Sequence, residues 1–306
     1  MANLPLIVGF GGINPAGRSS MHHAYRRLVI DRLGREDAAS TYLSLACLMG
    51  LVRYTDGRWL GADSKPVDPH ALPLEVCNTI NAGTLIRQLE NNLFDPQRLL
   101  YQRKVLLGKR AEEPVEFLLD KKDMPDEIPP GWTVVGIDEG KHGKVHIHVH
   151  DNFEVLLQCY RTAAVNTAGQ LPSGFNPEVL YPARSHPRGL QMTVYGASDA
   201  INSLGIDWDT VISKVAPDQV SVYAGSGMGQ LDYDGFGGML KARLLGRKVS
   251  SKQLPLGYPE MPADFLNAYI LGNLGSNGTN VAACATFLYN LRQAVRDIQS
   301  GTHRVA

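Results

Sequence analysis

Near its end the chain runs Gly275-Ser-Asn-Gly-Thr-Asn-Val-Ala-Ala-Cys284-Ala-Thr-Phe-Leu-Tyr. A turn of glycine and asparagine gives way to a few small residues, and these enter a stretch with helical periodicity. Leu288, Leu291, Val295 and Ile298 recur on one face, with Arg292 and Arg296 on another. The pattern demands a tight turn that opens directly into an amphipathic helix, with Cys284 at or near its first turn. Backbone N–H groups there have no partner within the helix, and the helix dipole is positive. Such a setting favours a thiolate. A buried structural cysteine is the plainer reading of a cysteine taken alone. Here the small neighbours Ala282, Ala283 and Ala285 leave room for a substrate to reach sulfur.

The same punctuation recurs earlier. Leu4–Phe10 is apolar and predicts a first strand; Gly11-Gly12 and Asn14-Pro15-Ala-Gly17 predict a turn; residues 21–33 predict an amphipathic helix. Strand, glycine turn and helix is an α/β opening. The glycines do not form a dinucleotide fingerprint, because the third residue after Gly11 is Asn14 rather than glycine. A buried strand over Asp218–Ala224 then runs into a second glycine loop, Gly225-Ser-Gly-Met-Gly229.

Between these landmarks, Ala38–Val52, Leu72–Leu93 and Asp95–Lys109 predict helices, and Glu112–Pro130 a charged surface loop. Trp132–Ile137 and Lys144–His150 predict strands, Val155–Ala168 a helix, Gln191–Leu204 an amphipathic helix stopped by Gly205, and Pro262–Leu271 another helix. His146, His148 and His150 alternate, so a strand places all three on one face. Such a row can bind zinc, but with no cysteine or carboxylate at ligand spacing nearby the sequence favours an exposed face on an edge hairpin, and no metal.

The 306 residues suffice for one large or two ordinary domains, and 44% apolar with 20% charged content is that of a soluble globular protein. Lysine plus arginine equals aspartate plus glutamate at 30 each, which argues against nucleic acid as a partner and against a polybasic membrane patch. No apolar run is long enough to span a bilayer, and the N-terminus lacks the pattern of a signal peptide. The four cysteines, at 47, 77, 159 and 284, are widely separated with no Cys-x-x-Cys, as expected of free thiols in a reducing, cytoplasmic setting.

Three segments together resemble the β-ketoacyl-acyl-carrier-protein synthases, condensing enzymes of the thiolase-like fold. These are Ile7-Val-Gly-Phe-Gly-Gly-Ile-Asn-Pro-Ala-Gly17, Val220-Ser-Val-Tyr-Ala-Gly-Ser-Gly-Met-Gly229, and Gly275–Thr286 with its Ala-Cys284-Ala-Thr. Any one glycine loop is weak; all three in the family's order are specific. Arg184-Ser-His-Pro-Arg and Met261-Pro-Ala-Asp-Phe-Leu match in texture. The long bacterial form is the nearest in pattern. The resemblance covers about 1–30 and 155–306. It implies an N-terminal condensing-enzyme lobe of the two-lobed βαβαβ fold, interrupted at 31–154 by a mainly helical insertion with a short β hairpin.

The resemblance further implies that Cys284 carries the acyl group as a thioester, with its own N–H in the oxyanion hole. It implies that Met228 lines or gates the acyl pocket, and that Met261 is a pocket residue contributed across a homodimer interface. The implied partners are an acyl-carrier protein or acyl-CoA and a malonyl thioester, with no cofactor. The family also uses two histidines and a lysine from its C-terminal half, and nothing in this chain resembles those motifs. His22, His23, His70, His142, His186 and His303 match no catalytic position. The expectation is therefore the N-terminal half of a synthase, largely inactive by itself. Two other readings stay open: a non-catalytic dimerisation or carrier-docking module, and an unrelated cysteine-dependent hydrolase, which needs a histidine partner beside Cys284.

Overall fold

The structure, a computed structural model, describes residues 4–20, 23–90, 95–108, 113–138 and 143–306. The chain divides into two compact units, 1–87 with 169–306, and 88–168. The boundary expected at 31 lies inside the first unit.

The first unit opens on an extended segment and a two-stranded turn, β1 (Ile13–Asn14) and β2 (Gly17–Arg18). The segment Leu4–Phe10, expected as a strand, is extended chain outside the sheets formed by the described residues; Leu4 and Ile7 are each 81% exposed, and the Phe10 N–H donates to Ser203 Oγ at 2.9 Å. An apolar run is a strand only when a neighbour takes its backbone hydrogen bonds. Then come α1 (His23–Leu28), α2 (Arg35–Leu48), the hairpin β3 (Val52–Thr55) and β4 (Arg58–Gly61), α3 (Leu74–Ala82) and β5 (Ile86–Gln88). Leu45, Ala46, Met49, Val52 and Ile80 form their buried core. The helix expected over Leu72–Leu93 ends at Ala82, before Gly83.

The second unit is β-rich, where a mainly helical insertion was expected. Its strands are β6 (Leu99–Leu107), β7 (Val115–Asp120), β8 (Trp132–Asp138), β9 (Lys144–Val149) and β10 (Phe153–Arg161). Strands β6 and β10 pair antiparallel along their whole length, across the two segments expected to be helices; β7 lies in the expected loop. The other three form a sheet in the order β7-β9-β8, so the histidine strand β9 is central and not an edge. Val145, Ile147 and Val149 on its other face are buried beneath Phe117, Trp132 and Phe153.

After β11 (Thr167–Gly169) the first unit resumes. It contains α4 (Arg188–Asn202), α5 (Trp208–Ile212), β12 (Val222–Tyr223), α6 (Phe236–Ala242), α7 (Gln253–Gly257), α8 (Met261–Leu266), β13 (Asn277–Gly278) and α9 (Thr286–Ser300). The helix expected to Leu271 continues past α8 as one π turn, Asn267–Leu271. Leu190 and Val194 of α4 pack with Phe265 of α8 as the core of this part. Strands β12 and β13 are parallel neighbours, so the two glycine segments that follow and contain them lie side by side. Val220 also bridges Val305 in parallel, which brings the last residues back to the same strand.

Candidate active site around Cys284

Residues Ala283–Ala285 form a single 3-10 turn that leads straight into α9, and Cys284 is exposed on it. The turn is locked by side chains. The Thr286 hydroxyl accepts from the Ala282 N–H at 3.0 Å and donates to the Ala283 carbonyl at 2.8 Å. Asn290, one turn further on and buried, accepts from the Asn280 N–H at 2.6 Å and donates to Thr279 Oγ1 at 3.1 Å. Ala283 itself sits at φ +47°, in the left-handed region. For a residue with a Cβ this conformation costs about 1–2 kcal/mol, and those two side chains hold it in place.

The second glycine loop abuts this turn. A Cβ added to Gly227 would lie 2.8 Å from the Ala283 carbonyl oxygen and 3.0 Å from its Cα, so only glycine lets the two backbones meet there. The loop is fixed from its other side by the Ser226 N–H, which donates to the Pro259 carbonyl at 2.9 Å. Met228 stands 71% exposed on the loop. Met261 starts α8 half-buried and packs within this chain against the Leu190, Val194 and Phe265 cluster.

The far end of α9 is held by a group that sequence reasoning passed over. Asp297 is buried and accepts from the Tyr223 hydroxyl of β12, from Gln293 Nε2 at 3.0 Å and from His303 Nδ1 at 3.0 Å. His303 Nε2 lies 3.3 Å from the Ser276 N–H. An amide N–H can only donate, so Nε2 accepts, and Nδ1 is the protonated nitrogen that faces Asp297. Burial, and then the bond to Asp297, pushes the Tyr223 hydroxyl above its ordinary pKa. His303 is thus a structural clamp with both nitrogens occupied. In sequence it was only a histidine on a C-terminal turn, and its partner Asp297 lies on the polar side of an amphipathic helix, where aspartates are ordinary.

The first glycine turn is anchored elsewhere in the unit. Gly11 presses on α4, where an added Cβ would lie 2.2 Å from the Ala200 N. Asp199 of α4 is 3% exposed and accepts from the Gly12 N–H at 3.1 Å, the Ser20 N–H at 3.2 Å, Ser20 Oγ at 2.7 Å and Arg18 Nε at 2.7 Å. His186 contacts Tyr181, Phe265 and Tyr269, and burial pushes its pKa down. His146 and His148 face Glu116 in the second unit. His22, His142 and the His23 side chain lie outside the described residues.

An exposed cysteine heading a braced helix, with a glycine loop against its turn, sits here in a thiolase-like fold. Along its whole length the chain is homologous to part of the β-ketoacyl-acyl-carrier-protein synthases. No family model matches it. The chain is 44% identical over 305 residues to the β-ketoacyl-[acyl-carrier-protein] synthase FabY of Pseudomonas aeruginosa, an alignment that covers 100% of this chain and 48% of that protein. The crystal structure of FabY from P. aeruginosa superposes with a TM-score of 0.89 over 99% of this chain and 47% of its own. More distantly, the chain is 25% identical over 322 residues to the fatty acid synthase alpha subunit stcJ of Emericella nidulans, covering 99% of this chain and 19% of that subunit. The chain therefore spans about half the length of FabY, which fits the expectation of one half of a synthase. No helix among the described residues is long and apolar enough to cross a membrane.

Proposed function

We propose that this chain is the acyl-accepting part of a β-ketoacyl-acyl-carrier-protein synthase of fatty acid synthesis, with Cys284 as the nucleophile. The Cys284 thiolate attacks the carbonyl of an acyl-CoA or acyl-carrier-protein thioester. The tetrahedral oxyanion collapses, the carrier thiolate leaves, and the acyl group stays on sulfur. Malonyl-acyl-carrier protein then loses carbon dioxide, its enolate carbon attacks the Cys284 thioester, and the β-ketoacyl product departs as the thiolate is regenerated. The N–H of Cys284 itself, on the turn that leads into α9, is the natural donor to the oxyanion, since the N–H groups of Ala282, Ala285 and Thr286 are already bonded within the turn. Met228 borders the acyl group from the adjacent loop.

The observation that carries this reading is the brace around Cys284: an exposed thiol on a turn fixed by Thr286, Asn290 and the backbone of the Gly227 loop. Those contacts fix the nucleophile before any substrate arrives. The enolate step also needs hydrogen-bond donors, and among the described histidines of this unit His303 is held by Asp297 and Ser276 and His186 by Tyr181. By itself the chain therefore accepts an acyl group and turns over negligibly, and the rest of a full-length synthase supplies the missing groups. The alternative of a non-catalytic docking module leaves the braced turn without a purpose.

The test is chemical labelling with an α-haloacyl pantetheine followed by peptide mapping. Cys284 is expected to be modified ahead of Cys47 and Cys77. Burial pushes the Cys77 thiol up, and crowding around sulfur does the same at Cys47 although that residue as a whole is exposed. Preferential labelling at Cys47 or Cys77 would sink the proposal.

A further inference from the structure

The histidine row of β9 acquires in the fold the carboxylate that its sequence neighbourhood lacks. Glu116 of β7 is directly opposite His148 in the antiparallel register, and Leu118 is opposite His146. Glu116, His146 and His148 therefore share one face, opposite to the buried Val145, Ile147 and Val149. Glu116 Oε1 lies 3.0 Å from His148 Nε2, and Oε2 lies 3.5 Å from His146 Nε2. The two imidazole rings are 5.2 Å apart. Among the described residues this is the one group of histidine, cysteine and carboxylate side chains whose ligand atoms converge, all within 4.8 Å of one another.

Two imidazoles and a carboxylate suit a borderline divalent ion. A tetrahedral ion with bonds of about 2.1 Å needs ligand atoms roughly 3.4 Å apart. The two Glu116 contacts bracket that spacing, and the wider gaps close by small rotations of half-exposed side chains. Both Nε2 atoms already lie beside the carboxylate, so the ion enters among groups that are close together without it. The backbone beneath is rigid, because β9 is the middle strand of its sheet and its other face is core. We infer that Glu116, His146 and His148 form a site for a divalent transition-metal ion of the zinc, cobalt or nickel type, on the three-stranded sheet of the second unit. With three protein ligands, the remaining coordination positions fall to water or to an incoming donor group. The ion would cross-link β7 to β9 in the unit remote in sequence from Cys284, so the inference stands whether or not Cys284 is the nucleophile.

The experiment uses the full chain without a histidine tag, stripped by chelator, and titrated with cobalt(II) and then zinc(II) by calorimetry and visible absorption. One ion per chain is expected to bind. The cobalt form should show ligand-field bands of a nitrogen–oxygen site without thiolate charge-transfer absorption, because the four free cysteines are not ligands. His146→Gln, His148→Gln and Glu116→Gln should each weaken binding at least tenfold, while circular dichroism and the apo melting temperature stay unchanged. Binding that survives the H146Q/H148Q double variant, a thiolate signature, or no binding at millimolar metal each overturns the site.

Discussion

Asp199 is the residue whose local chemistry gives the most direct stability prediction. Burial raises its pKa and is the largest single influence, but the hydrogen bonds from Ser20, Gly12 and Arg18, together with the Arg18 charge, outweigh it, and the carboxyl titrates below its ordinary value. The folded chain thus holds this carboxylate ionised more firmly than the unfolded chain does. The resulting stability is complete above the unfolded pKa of about 3.9 and is lost as pH falls through the lower folded value. Asp199→Ala should cost roughly 2–3 kcal/mol near neutrality, since it strands charge-assisted donors on Gly12, Ser20 and Arg18. Urea midpoints measured from neutral to acid pH should show the gap between wild type and variant narrowing on acidification. A gap that widens would mean that Asp199 is not the ionised hub of this turn. The sequence offered little warning: Asp199 lies in the motif-like Ala-Ser-Asp-Ala, and only the fold shows that its donors come from residues 12–20.

At the scale of elements, α9 is the piece that matters, and it was legible. Leu288, Leu291, Val295 and Ile298 give its helical period, Gly301 at φ +76° stops it, and the glycine–asparagine turn marks its start, although the side it buries within the chain carries the polar Thr286, Asn290 and Asp297. Its two anchors were not legible, because each joins residues through space: Asn290 to Thr279 and Asn280, and Asp297 to Tyr223 and His303. The reverse error fell on β6 and β10. Leu99, Leu100, Leu106 and Leu107 recur at helical spacing, and the Gln-Arg-Lys between them favours helix, yet the segment pairs with Phe153–Arg161 over nine residues. Strand pairing over such a separation overrides local preference. The same blindness hid Glu116, which sits in a stretch expected to be loop and meets the histidines only through the register of β7 on β9. For the clamp, His303→Ala should lower stability by about 2 kcal/mol, as it leaves the Ser276 N–H and one Asp297 oxygen short of a partner in a buried place. Amide hydrogen exchange should rise at 276–278 and 297–305 and stay unchanged in 44–52. Protection left intact at 276–278 would contradict the clamp.

For the molecule as a whole, the exposed apolar surface is the salient property. On α9 Phe287 is 73%, Leu288 62% and Tyr289 50% exposed, and Leu231, Tyr233, Leu240 and Leu244 are exposed as well. A helix that presents part of its apolar stripe to water is built to be covered. Together with the span of about half of FabY, this supports the reading of the chain as a portion of a larger synthase, and it predicts self-association when the chain is made alone. Light scattering on a size-exclusion column should give a mass above the 33.4 kDa of one chain, rising with concentration; a monomer at every concentration would contradict the prediction. The thiolase-like fold could be anticipated from three motifs in order. The β-rich second unit could not, because most of it, up to residue 154, lies in a segment that the resemblance does not cover.

The central claim is that Cys284 accepts an acyl group. The chain should be incubated with short acyl-CoA and acyl-carrier-protein thioesters, and the intact protein and its peptides weighed before and after hydroxylamine. The account predicts one acyl mass increment per chain, located on the peptide containing Cys284, removed by hydroxylamine and absent from Cys284→Ser and Cys284→Ala. An increment on another cysteine, or none from any thioester while Cys284 remains open to alkylation, would contradict it.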